Sequence, residues 1–76
     1  MSHVGRQLRV ERVSANIPGR LLCLRASISR SKLSEIEAGY LAPSTEELLR
    51  IRQALRELTD ARKEVEAVAQ RVGWPI

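Results

Sequence analysis

The chain has 76 residues, of which 43% are hydrophobic, 29% charged and only 3% aromatic, with a formal net charge of +4 at pH 7. That balance suits one small aliphatic core rather than a disordered chain. It speaks against a sandwich of aromatic and β-branched strands and against single-stranded nucleic-acid binding by base stacking. The charge is uneven. Residues 1–32 carry seven basic side chains against Glu11 alone, a surplus of +6, while residues 33–76 carry six basic against eight acidic, −2. A basic front half is the footprint of a surface that faces a polyanion.

The single cysteine, Cys23, lies in an apolar run. One thiol forms neither an intrachain disulfide nor a multi-cysteine zinc site. A small core residue is its expected role, with a reactive redox thiol as the alternative. No apolar run nears the roughly 20 residues of a membrane span, and the N-terminus lacks the apolar segment of a signal peptide. A cytoplasmic protein, with no membrane association and no cofactor, is the expectation. His3 has no partner cluster, so no metal site is expected. No nucleophile–base set or phosphate-cradling glycine loop points to an enzyme.

In chain order, Val4–Ser14 reads as a first helix with a basic outer face, with Val4 and Leu8 four residues apart. Asn16, Ile17, Pro18 and Gly19 break it. Proline is tolerated in the first turn of a helix, where its missing N–H would be unpaired anyway. A second helix is therefore expected over about Pro18–Ala26, with Leu22 and Ala26 inward and Cys23 beside them. Ser27, Ile28 and Ser29 form a tight turn, and Ser29 can cap a third helix, Arg30–Ala38. That helix is short, polar and sharply bounded. Its outer face carries Arg30, Ser31, Lys32, Ser34 and Glu35, and its inner face Leu33 and Ile36. Gly39 stands where a helix ends in the left-handed conformation. Ser44 and Glu47 have capping-box spacing. Thr45–Val72 contains neither proline nor glycine, and its apolar residues recur every three or four. One long helix is favoured over two split near Thr59 and Asp60.

The run Ile28–Gly39, followed by Pro43-Ser44 and by Leu48, Ile51, Ala54 and Leu55, resembles the phage-repressor (Cro/C1, or XRE-type) helix-turn-helix family. The likeness covers roughly Val4–Leu58. Leu22-Cys23 stands where the family has leucine and a small residue in its second helix. The resemblance implies an all-α, lambda-repressor-like bundle of four to five helices, with a DNA-binding domain over residues 1–58 and a helical extension over residues 59–76. It implies that Arg30, Ser31 and Glu35 read bases in the major groove, since arginine pairs with guanine and glutamate accepts from cytosine. Gly19, Arg20, Lys32, Ser34 and Tyr40 are then phosphate contacts, which position without reading sequence. An internal Arg12–Glu37 pair is expected to fix the first helix against the third.

Two positions depart from the family pattern. Gly19 replaces a polar residue, leaving backbone N–H groups to meet a phosphate. Ser27 replaces the turn glycine, and a non-glycine residue in the left-handed region costs on the order of 1 kcal/mol. Leu48, Ile51 and Leu55 are expected to face the core. Val65, Val68, Ala69, Val72 and Trp74 lie beyond it and are expected to form a homodimer interface. The function implied is a sequence-specific double-stranded DNA-binding regulator, a repressor acting as a homodimer. The competing readings are an antitoxin-type module whose rear helix binds a protein partner, and a helical adaptor that has lost DNA binding.

Overall fold

A computed structural model describes residues 3–73 as four helices with no strand among them. They are α1 (His3–Ser14), α2 (Gly19–Ala26), α3 (Arg30–Glu37) and α4 (Thr45–Val72). The expected all-α class is therefore present. His3 is the first residue of α1, one residue before the expected start at Val4. Pro18 caps α2 from outside, with extended backbone at φ −62° and ψ 142°, rather than standing in its first turn. α4 is one helix of 28 residues, unbroken at Thr59 and Asp60. The Thr59 hydroxyl donates back to the Leu55 carbonyl at 2.7 Å, so it serves the helix instead of capping a new one.

The first three helices stop by one device. Asn16 (φ 58°), Ser27 (φ 56°) and Gly39 (φ 86°) each take the left-handed conformation. The next N–H then reaches back five residues: Ile17 to the Arg12 carbonyl, Ile28 to Cys23 and Tyr40 to Glu35, each at 3.0 Å. That bond satisfies carbonyls that a helix end otherwise leaves open, and it turns the chain sharply. Ile17 and Ile28 ride over these turns onto the core. Asparagine tolerates the left-handed region through its short polar side chain, so Asn16 is a built stop rather than a simple breaker. α3 starts on Ser29, whose hydroxyl accepts from the Lys32 N–H at 3.1 Å. α4 starts on a complete capping box, with Ser44 N–H to Glu47 at 2.9 Å and Glu47 N–H to Ser44 at 3.1 Å.

The core is aliphatic throughout. Leu8, Leu22, Ile36 and Ile51, one from each helix, are fully buried, and Ile17, Cys23, Ala26, Leu33, Ala54 and Leu55 surround them. Leu48 and Leu58 pack against this cluster. Val10 and Val13 are exposed, so the outer face of α1 is not purely basic as expected.

α1 crosses α3 at Gly5. A Cβ there would stand 1.7 Å from the Ile36 carbonyl oxygen, so only glycine admits this approach. Ion pairs reinforce the packing: Arg25 with Glu57 joins α2 to α4, and Arg52 with Glu11, at 3.6 Å, joins α4 to α1. Beyond Leu58, α4 leaves this cluster behind, and 28 residues at about 1.5 Å each account for the 44 Å length of the molecule.

Candidate nucleic-acid interface

α1, α2 and α3 meet around an open groove of about 390 Å³. Leu33 and Cys23 form its apolar floor, and Arg9, Arg12, Gly19, Arg30, Ser34, Glu37 and Ala38 complete its lining. Three arginines against one glutamate leave a net charge of +2. Arg12 and Glu37 neutralise each other in a two-pronged pair: Nε donates to Oε2 at 2.8 Å and the second terminal nitrogen donates to Oε1 at 2.9 Å. The remaining terminal nitrogen of Arg12 donates to the Ile17 carbonyl at 2.9 Å. Hydrogen bonding to Glu37 pushes the Arg12 guanidinium further up from its already high range, so it is a permanent cation. One arginine thus holds the end of α1, the α1–α2 connection and α3 together, and among the described residues Glu37 is the one charged side chain that is buried.

Arg9 and Arg30 have no carboxylate partner among the described residues, and neither do Arg6 and Arg20. The start of α2 opens on the same groove. Pro18 supplies no side-chain cap, and the Gly19 and Arg20 N–H groups precede the first N–H that bonds back to Pro18. Such free N–H groups and the helix dipole attract anions. No atom comes closer than 3.7 Å to a Cβ built on Gly19, so this glycine leaves the helix start uncovered without being sterically required.

The sequence-predicted residues divide into two groups. Arg30, Ser34 and Gly19 come together at the groove, and Arg20, Ser31, Glu35 and Tyr40 are exposed around it or on α3 and the loop that follows. Lys32 is different: its ammonium pairs with Glu47, tying α3 to the first turn of α4. That pair and the Ser44 N–H hold the Glu47 carboxyl down at about 2, against 4.5 ordinarily. Lys32 is therefore engaged inside the chain before any phosphate arrives.

Sequence reasoning missed Arg9 and Gly5. The signal for Arg9 was its spacing of three from Arg12, which puts both on one face of α1. Gly5 gave no signal, because a glycine in a helix becomes informative only once the opposing backbone is known. Burial pushes the Cys23 thiol up, and its Sγ donates weakly to the Ser29 carbonyl at 3.7 Å, as suits a small core residue.

On the rear of α4, Val65, Val68 and Val72 are exposed. Ala69 is 6% exposed, so it offers little free surface to the expected interface. Trp74, assigned to the same interface, lies outside the described residues. Among the described residues, no helix is long and apolar enough to cross a membrane. No family model matches this chain, and neither a curated protein nor a solved structure is significantly similar to it.

Proposed function

We propose that this chain is a sequence-specific double-stranded DNA-binding regulator of the lambda-repressor-like helix-turn-helix kind, acting as a homodimeric repressor. The observation that carries the reading is the convergence of unpaired Arg9 and Arg30 with the open start of α2, beside the exposed polar face of α3. α3 is a rigid eight-residue rod of a size that enters a major groove. Arg30, Ser31 and Glu35 then meet base edges. The groove, Arg20 and the free N–H groups hold phosphates. Phosphate contact by Lys32 requires its release from Glu47, which lowers its share of the binding. Tyr40 and Ser34 complete the backbone contacts. Occupation of an operator is the simplest way for such a domain to regulate.

The test is binding to duplex DNA selected from a random pool, measured against salt. Arg6, Arg9 and Arg20, unpaired on the front helices, make six phosphate contacts in a dimer and imply a slope of log affinity on log salt of about −5, or on the order of 10³-fold between 50 and 200 mM. Arg30→Ala is expected to cost about 1–3 kcal/mol on the selected site and to relax one base pair. A flat salt response, or equal loss on selected and random DNA, refutes the assignment. The apolar Val65, Val68 and Val72 face favours a second reading, an antitoxin-type module whose rear helix blocks a protein partner.

A further inference from the structure

Along α4, Ala54, Leu58, Ala61, Val65, Val68 and Val72 recur in steps of four and three. That alternation is the seam of a coiled coil, on one side of the helix. The stripe is used in its first half only. Ala54 is 3% exposed and Leu58 packs on the core, whereas Val65, Val68 and Val72 are 62%, 42% and 61% exposed. The domain thus ends partway along the seam and leaves a ledge one helix wide.

We infer that this ledge takes the rear half of α4 from a second copy of the chain, running antiparallel, with Val65 of each copy packed on Val68 of the other. The domain dictates the direction. A parallel copy would bring both domains to the same level on the inner side of the paired helices, where they would occupy one space. An antiparallel copy slides its α4 end against the open ledge and carries its own domain beyond the end of the first helix.

Charge sets the register. Glu64 and Arg71 each stand one residue before a seam valine, on the same edge, and neither has an ion-pair partner among the described residues. On the other edge, Arg62 is held by Glu66 at 3.2 Å. With Val65 on Val68 and Ala61 on Val72, Glu64 of each copy faces Arg71 of the other, twice by symmetry. Sliding by one heptad either way sets Glu64 against Glu64 or Arg71 against Arg71. Each wrong register sets like charges together, and the one that joins Glu64 to Glu64 brings Arg71 only to Glu57, which Arg25 already holds, whereas the inferred register is attracted twice.

The pairing places the two domain cores about 40 Å apart along the helix axis, counted from the Ile51–Leu55 layer at 1.5 Å per residue. That is near the roughly 34 Å of one DNA turn, a consequence that rests on the proposed function, whereas the pairing itself does not.

Sedimentation of the full chain without DNA tests it. The wild type is expected to dimerise in the micromolar range. Glu64→Arg and Arg71→Glu, both at exposed positions, each swap two attractive pairs for two repulsive ones. Each is expected to weaken the dimer on the order of tenfold. Mixing the two variants in equal amounts restores wild-type association, because every facing pair is then complementary.

Direction is read by disulfide formation in a Cys23→Ala background. A chain carrying Ala61→Cys is expected to cross-link to one carrying Val72→Cys and not to itself, since the two Ala61 positions lie about 16 Å apart. A wild type that stays monomeric at high micromolar concentration overturns the inference. So do reversals without effect, or Ala61→Cys chains that cross-link to themselves. A monomer that still binds DNA selectively overturns the pairing alone and leaves the DNA reading standing.

Discussion

Replacing Arg12 by methionine keeps most of the aliphatic bulk and removes every polar contact the guanidinium makes. The Glu37 side chain, 8% exposed, then holds a carboxylate that has lost its ion-pair partner, and the Ile17 carbonyl loses its donor. Breaking a buried pair by deleting one partner costs about 3–5 kcal/mol. Arg12 retains 16% exposure, so water reaches the gap and the low end applies, about 3 kcal/mol. A domain of this length has a total stability of roughly 4–11 kcal/mol. In urea, at a slope of about 1 kcal/mol per molar, the midpoint is expected to fall by about 3 M. The double variant Arg12→Met with Glu37→Leu removes both charges, and is expected to recover to within about 1 kcal/mol of wild type. A single-variant shift below about 1 M, or a double variant no better than the single one, would refute the view that an orphaned carboxylate is the main cost.

Gly5→Ala sets a methyl 1.7 Å from the Ile36 carbonyl oxygen, and backbone cannot rotate aside. α1 must lift from α3, at a cost of about 3 kcal/mol, or a melting temperature lower by roughly 12–24 °C. Gly19→Ala meets nothing closer than 3.7 Å and serves as the control, expected to melt at or slightly above wild type. Melting of Gly5→Ala within a few degrees of this control would show that the helices do not cross so closely. The Glu47 carboxyl is held at about 2 in the folded chain, against 4.5 ordinarily, first by Lys32 and then by the Ser44 N–H. A depressed carboxyl binds its proton more readily when unfolded, so its stabilisation is complete above pH 4.5 and lost as pH falls towards 2. Urea midpoints over that window are expected to fall less steeply for Glu47→Gln than for wild type, and equal slopes would show that the pair contributes nothing.

Local chemistry made the helix boundaries legible. Ser29, Ser44 with Glu47, and Gly39 act through atoms within a few residues of themselves, and all three perform the cap or stop expected. The inward face of α2 and the buried Leu33 and Ile36 of α3 were likewise readable from helical spacing. The Arg12–Glu37 pair came from the family likeness, not from spacing, because 25 residues separate the partners. In the sequence Asn16 shows only a break, since asparagine in a turn is compatible with several backbone conformations. Periodicity places Ala69 in an exposed interface, whereas in the structure it is buried. Periodicity gives the direction of a side chain but not what stands in front of it.

Composition, caps and periodicity by themselves determined a chain of four or five helices, an aliphatic core and a basic front half, because these depend on each residue's own propensity and that of its near neighbours. The tertiary structure decided which charges stay free. Arg9 and Arg30 look no different in sequence from Arg12 and Arg25, yet the first two line or flank an open groove and the others are consumed by Glu37 and Glu57. It decided that Lys32 is spent on Glu47, that Gly5 must be glycine, and that the α4 seam is covered to Leu58 and bare beyond it. Each of these depends on distance in space between residues far apart in the chain, and that distance exists only after the helices have packed.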